Sequence, residues 1–371
     1  MPSIMDAFAE LRDPRCRQCR YPLDEILFTA LCAVLCGVED WETMVLWGRT
    51  QLAWLRKHLP YENGIPCEDT FRRVFSGLSP VAFERCFIEW VACLCPSLAG
   101  QHVAIDGKTV RGNASNGRNA LHLVSAWCSG NGLSLGQIAT AGKSNEITAI
   151  PQLLKALDLT GATVTIDAMG TQHAIAQAII DAGADYVLMV KDNQPTLAES
   201  LRDWFESVQS GGLDRPYWEH TTHDKGHGRI ETRVCRVSDD VQWLSEMGQH
   251  WAGIQRIAMI ERTRQIGECI SVEHAWYISS RPVKAIEMSR LVRAHWGIEN
   301  QLHWVLDVFW GEDAHQTRDK AAARNLASVR KITLNLARME QQRRSKKVSL
   351  KNIRNLAAWD TDVRESILGL A

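Results

Sequence analysis

Two short β-branched runs constrain this chain most, because each ends on an aspartate. Asp106 closes HVAID at residues 102–106, and Asp167 closes ATVTID at residues 162–167. Val, Ile and Thr favour the pleated backbone, and a charge in a strand buried on both faces is costly unless it is paired or metal-bound. A third isolated carboxylate, Glu299, lies in the aromatic segment RAHWGIENQLHWVLDVFW, which reads as helical. Two strand-borne aspartates and one helix-borne glutamate are how a protein holds a pair of hard divalent cations for phosphoryl transfer. That chemistry points to an enzyme that cuts nucleic acid.

Each acid also has a plainer reading. Asp106 can be a strand-end turn residue with Gly107 as the bend, and Asp167 can cap the helix beginning near Thr171. At about 100° per residue, Ile298, Leu302, Val305 and Phe309 form a core stripe with Glu299 just beyond its edge. From there it can face a sheet and still reach water, or sit as a solvated flank residue paired with His295 or His303. The stretch His295, Glu299, His303 also lacks the H-E-x-x-H order of a zinc-protease helix.

With 371 residues, 45% hydrophobic and 23% charged, the composition is that of an ordinary soluble protein of two or three domains. A formal net charge of −1 advertises no polyanion partner, so any nucleic-acid surface must be local. The apolar run ILFTALCAVLCGV is too short for a bilayer and lacks signal-peptide flanks. The expectation is no membrane association and a bacterial cytoplasmic location, beside the nucleoid when acting. Cys16 and Cys19 form a C-x-x-C with no second pair to complete a zinc site. Cys32, Cys36, Cys86 and Cys93 lie among apolar residues and read as buried reduced thiols.

Periodicity divides the chain into five stretches. Residues 1–97 read as an N-terminal helical domain for DNA binding or dimerisation, with a helix–turn–helix outline in IPCEDTFRRVFSGLSPVAFERCF. Residues 98–195 alternate strands and helices, which predicts an α/β fold with a mixed sheet and flanking helices. A helix over 196–208 and short alternating runs over about 215–280 predict a β-rich insertion across 196–281. Helical pattern returns over 282–340 and carries Glu299. Residues 341–371 form a basic C-terminal tail.

The motifs IDGKTVRG, TIDAMGTQ, VKDNQPTL, HGRIETR, HWGIENQLHWVLDV and NLASVRKITLNLAR, in that order, resemble the DDE transposases of the H-repeat-associated (ISAs-type) insertion-sequence family. The resemblance runs from the DPR…PLDEIL segment to about residue 340. It implies a ribonuclease H-like core with Asp106, Asp167 and Glu299 as catalytic metal ligands, and a β insertion before the glutamate helix. It also implies a DNA transposase that cleaves the inverted-repeat ends of an insertion sequence and transfers the strand. Mg²⁺ would be the cofactor, with Mn²⁺ as a substitute, and Asp106 the bridging ligand. The partners would be double-stranded DNA, as terminal inverted repeats and target, and further copies of the chain in a homodimer or higher multimer. Two other readings stay open: a catalytically idle or repurposed DNA-binding relic, and a ribonuclease H-like nuclease without transposition. One departure concerns the Tyr, Arg and Lys that related cut-and-paste enzymes carry around the glutamate. Here His295, Val292 and Leu306 occupy those offsets, and the nearest upstream base is Arg293.

Around the acids, Lys108, Arg111 and Lys191 are candidate phosphate contacts, and His227 and Arg229 sit in a Gly-flanked turn that could meet a DNA end. Lys108 and Arg111 read equally well as a solvated strand-end pair, and the turn as an ordinary hairpin. Asp307 and Asp313 read as structural. Trp296, Trp304 and Trp310 bracket Glu299, as core residues or as stacking surfaces for a displaced base. Arg338, Arg343, Arg344, Lys346, Lys347, Lys351 and Arg354 form the one clear basic cluster, a solvated helix or a phosphate-binding arm.

Overall fold

The computed structural model describes residues 3–15, 19–113, 120–140, 145–226 and 228–370. Helices α1 (Ile4–Phe8), α2 (Leu23–Leu35), α3 (Trp41–Thr50), α4 (Leu52–Leu55), α5 (Glu68–Gly77) and α6 (Pro80–Leu94) come first. Then follow β1 (His102–Val110), β2 (Leu121–Cys128), β3 (Leu133–Thr140), α7 (Glu146–Ala156), β4 (Thr163–Ile166), α8 (His173–Asp181) and β5 (Asp185–Val190). Next are α9 (Pro195–Gln209), β6 (Trp218–Gly226), β7 (Arg229–Ser238), α10 (Gln242–Glu246), β8 (Arg256–Ile266) and β9 (Cys269–Ser279). The chain ends with α11 (Ala285–His295), α12 (Trp304–Trp310), α13 (Lys320–Arg343), α14 (Leu350–Trp359) and α15 (Thr361–Leu368).

The strands join in the order β3-β2-β1-β4-β5-β9-β8-β7-β6. The first five, 3-2-1-4-5, are in ribonuclease H order: β2 and β3 form an antiparallel hairpin, while β1, β4 and β5 run parallel. The fold is thus the ribonuclease H-like mixed sheet that the motifs implied. The β-rich segment is no separate module, because β9 pairs antiparallel with β5 and the sheet simply continues through β8, β7 and β6.

The chain divides into two compact units, Met1–Pro96 with Gly107–Asn145 and Glu299–Ala371, and Ser97–Asp106 with Glu146–Ile298. These cut the chain otherwise than the five stretches of sequence pattern do. In the first unit α13 is the spine, packing against α2, α5, α6 and β3. Asp319 caps its N-terminus by accepting from Ala322 N at 2.8 Å. Its polar residues are buried because each has a partner. Asn325 donates to the carbonyls of Phe75 (2.8 Å) and Leu78 (3.1 Å), closing the end of α5. Asn335 accepts from Ser134 N at 2.9 Å and donates to Ser134 O at 2.8 Å, supplying β3 with the two hydrogen bonds of a neighbouring strand.

The C-terminal stretch, read as a helical and basic tail, forms two helices, α14 and α15, that pack on α13. Arg354 lies over the Trp310 ring at 4.5 Å and donates to Val34 O, and Arg364 lies over Trp54. Arginine stems and planar guanidinium groups bury readily when stacked on indoles and hydrogen-bonded. Sequence charge alone does not show that pairing. Cys86 is buried as expected, whereas Cys93 is exposed on α6. Cys16 lies outside the described residues.

In the second unit α11 covers one face of β6–β9, burying Val283, Ala285, Met288 and Leu291 against Cys235, Val237, Ala258, Ile260 and Tyr277. Among the described residues no helix is long and apolar enough to cross a membrane.

Asn335→Ala strands a buried N–H and a buried C=O of β3, each worth about 1–3 kcal/mol unpaired. Denaturant unfolding should register a loss of about 2–4 kcal/mol, and a loss below about 0.5 kcal/mol would mean that water enters and takes over both bonds.

Candidate active site

In the second unit β1 and β4 pair in parallel with Ile105 opposite Ile166. Asp106, midway along β1, and Asp167, just past the end of β4, are the next residues after that pair, so the register carries them to the same level and the same face. Strand spacing sets their backbones about 5 Å apart. Both are half-buried. Asp167 also accepts from Met169 N at 3.1 Å and Gly170 N at 3.4 Å. The capping reading and the site reading are therefore compatible: the backbone amides orient the carboxylate while leaving lone pairs for a cation. The turn is tight because a Cβ at Gly170 would lie 2.2 Å from Ile166 Cγ2.

The motif VKDNQP closes this end of the sheet. Asn193 donates to Ala168 O at 2.6 Å and Thr171 O at 3.3 Å, tying the loop after β5 to the turn after Asp167. Thr171 donates to Met189 O. Lys191 is exposed beside this tie.

Below the aspartates, the same face carries a polar chain that the sequence reading missed. Thr165 Oγ1 lies 2.7 Å from His102 Nε2 and 2.9 Å from His295 Nδ1. Thr165 precedes Asp167 by two residues and so shares its face, and His295 ends α11. Burial drives His295 down to about 4, and burial with the neighbouring His295 does the same for His102. Both rings are therefore neutral at pH 7. Polar residues at every second position of β4, Thr163, Thr165 and Asp167, facing His102 and Asp106 on β1, were the available signal.

Glu299 opens the last segment of the first unit and is exposed. It stands on a π-helical turn, Ile298–His303, rather than on a regular helix. Such turns recur at functional sites. The extra residue shifts the helical phase, so Leu306 and Trp310 are buried while Phe309, placed in the core stripe by 3.6 periodicity, is only half-buried. Arg338, from the basic cluster, is buried over the Trp127 ring at 4.8 Å and donates to Gln301 O, a carbonyl of this turn. Trp310 is core, donating to Thr333 at 2.8 Å, but Trp296 and Trp304 are about half exposed (51% and 53%).

The structure thus brings Asp106 and Asp167 together. Among the described residues no group of three His, Cys, Asp or Glu side chains forms a ready-made metal cluster. Of the candidate DNA contacts, Lys108 is largely internal, its ammonium paired with Asp307 and with Glu312 at 2.7 Å. Burial alone would raise the Glu312 carboxyl, but Lys331 and Lys108 pull it down to about 2. Asp307 and Asp313, read as structural, both lie near Lys108, and Arg111 N donates to Asp313 at 3.0 Å while the Arg111 side chain is exposed. Arg229 is exposed at the β6–β7 hairpin, and His227 lies outside the described residues. Arg293 pairs with Asp224 at 2.5 Å. Arg344 pairs with Glu340, while Arg343, Lys346, Lys347 and Lys351 are exposed.

Residues 98–336, more than half of the chain, match the model of the transposase DDE domain, and residues 5–91 match its DDE_Tnp_1-associated domain. This chain belongs to the DDE transposase family. It is 40% identical over 343 residues to "Putative transposase YncI" of Escherichia coli O157:H7, covering 91% of this chain and 87% of that one. It is 36% identical over 357 residues to "H repeat-associated putative transposase YhhI" of Escherichia coli strain K12, covering 94% and 92% respectively. Among solved structures, a piggyBac transposase synaptic complex with hairpin DNA aligns over 98% of this chain and 76% of that one, with 12% identity and a TM-score of 0.45.

The neutral histidines make the fold acid-sensitive. Their folded values, about 4, lie below the ordinary 6.5, so the unfolded chain binds more protons between those limits. Their contribution is intact above pH 6.5 and falls away toward pH 4, by up to about 3 kcal/mol for each ring. His295→Gln should flatten the pH dependence of unfolding over that window, and an unaltered profile would show that the ring is hydrated.

Proposed function

We propose that this DDE-family chain cleaves DNA at the terminal inverted repeats of an insertion sequence and joins the freed ends to target DNA. Asp106, Asp167 and Glu299 would be its metal ligands. The observation that supports the reading is the parallel register of β1 and β4, Ile105 opposite Ile166, with Asp106 and Asp167 next in sequence after that pair. Mg²⁺ takes oxygen donors, commonly one or two carboxylates completed by substrate phosphates and water. An aspartate pair suits it, or Mn²⁺, without a closed protein cage. Bound there, the ions supply activation of the attacking water or 3′-hydroxyl and stabilisation of the leaving oxygen.

The chain's own residues hold this arrangement. Asp106 would be the ligand shared by the ions, and Asp167 and Glu299 would each hold one. The amides of Met169 and Gly170 aim Asp167. The exposed cations Arg111, Lys191 and Arg229 contact backbone phosphate, which fixes register without reading sequence. Arg293 joins them if DNA displaces Asp224. Arg343, Lys346 and Lys347, with Lys351, form a second phosphate-binding patch. The working form on DNA is a homodimer or higher multimer.

Purified protein, labelled inverted-repeat ends and target DNA test the proposal with and without Mg²⁺. Metal-dependent end cleavage with joined products supports it. Cleavage without joining would mark a nuclease, and binding alone a relic. Asp106→Asn, Asp167→Asn and Glu299→Gln should each lower cleavage at least about a thousandfold, or about 4 kcal/mol of barrier, with DNA affinity retained. Substantial residual cutting by any one removes that residue from the site.

Neutralising Arg343, Lys346, Lys347 and Lys351 together should weaken DNA binding and reduce the slope of log affinity against log salt by about 3–4. An unchanged slope would show a merely solvated surface.

A further inference from the structure

Lys108 follows Asp106 by two residues on β1, so both side chains leave the strand on one face. Its ammonium is buried among Asp307 of α12, Glu312 at 2.7 Å and Asp313 at 3.9 Å. Two more ties join the same stretches. Arg111 N donates to Asp313 Oδ1 at 3.0 Å. A Cβ at Gly112 would lie 2.3 Å from Asp313 O and 2.7 Å from His315 O, so only glycine permits this approach. Residues 108–112 and 307–315 are therefore laced together within one compact unit.

A buried ammonium among three carboxylates is an expensive way to gain stability, since apolar residues of similar volume often serve as well. Such clusters recommend themselves where orientation must be exact to within fractions of an ångström. What α12 would orient is the turn immediately before it, Ile298–His303, which begins with Ile298 and Glu299. Arg338 fixes the same turn through Gln301 O. A wide turn has fewer regular backbone bonds than a helix and needs such outside support.

We propose that Lys108, with Asp307 and Glu312, is a positioning strap that holds the Glu299 turn to the second half of β1, just beyond Asp106. The inference rests on the metal-ligand reading given above and assigns these three residues no contact with DNA or with a reacting atom. Lys108 was a candidate phosphate contact in the sequence, and here its charge is spent internally. Asp307 is the part of the strap most open to change, because its side chain is 30% exposed while Glu312 is fully buried.

Asp307→Ala leaves the Lys108–Glu312 pair in place and should fold. Hydrogen exchange on the full chain should then show faster exchange at residues 298–310, with residues 320–343 unchanged. Mn²⁺ binding followed by electron paramagnetic resonance should weaken about tenfold. Single-turnover cleavage at limiting Mn²⁺ should slow by a similar factor and recover at high Mn²⁺, with DNA-end affinity within about twofold of the wild type. Asp307→Glu, which keeps the charge, should recover most of each effect. Should Asp307→Ala fold poorly, Asp307→Asn provides the same comparison with the side-chain volume retained. Unaltered exchange at 298–310 overturns the strap. So does a loss of cleavage that excess Mn²⁺ does not restore, because that is what a merely structural role would produce. If Asp106→Asn and Glu299→Gln bind Mn²⁺ as the wild type does, the metal-ligand reading fails instead, and exchange at 298–310 alone decides whether the strap exists.

Discussion

The parallel hydrogen-bond ladder between β1 and β4 is the constraint on which the rest depends. Its register makes Ile105 the partner of Ile166, and a one-residue slip would turn Asp106 to the face opposite Asp167. Buried apolar residues enforce that register: Val103, Ile105, Val164 and Ile166 are almost wholly removed from water. The acids come together because their neighbours are greasy. The polar chain through His102, Thr165 and His295 then ties the end of α11 to the face that carries the acids, at the expense of keeping two rings neutral.

Charge inside the first unit serves a similar purpose. Glu84 pairs with Arg324 and, with Lys331, brackets Gln137 of β3. Lys331 and Lys108 share the Glu312 carboxylate. Breaking any one such pair leaves a partner buried and uncompensated, which is far costlier than the pair itself is stabilising. The helices around α13 are therefore specified by polar matching as well as by apolar fit.

Much of this was legible in the sequence. The β-branched runs ending in aspartate, the strand–helix alternation and the helical N-terminal region all appear where periodicity placed them. Motif order pointed to the ribonuclease H-like fold and the family. The β-rich stretch was also legible as antiparallel strands, but not as an extension of the core sheet, because period-2 patterning says nothing about which strand a given edge will join. The basic cluster reads as solvated because Arg338 and Arg354 count as surface charge until indole rings are known to lie beneath them. Lys108 misled for the same reason, since its carboxylate partners lie some two hundred residues away in the chain. The π-helical turn at Glu299 was invisible to a 3.6-residue template, which is blind to a single extra residue.

That extra residue makes the segment more sensitive to length than to composition. Deleting any one position within 298–303 would let the backbone relax into an ordinary helix and rotate everything downstream by about 100°. Asp307 would then swing away from Lys108, and Trp310 would leave the core. Point substitutions on the exposed side of this turn can drift freely, whereas its reading frame in space cannot change by even one step.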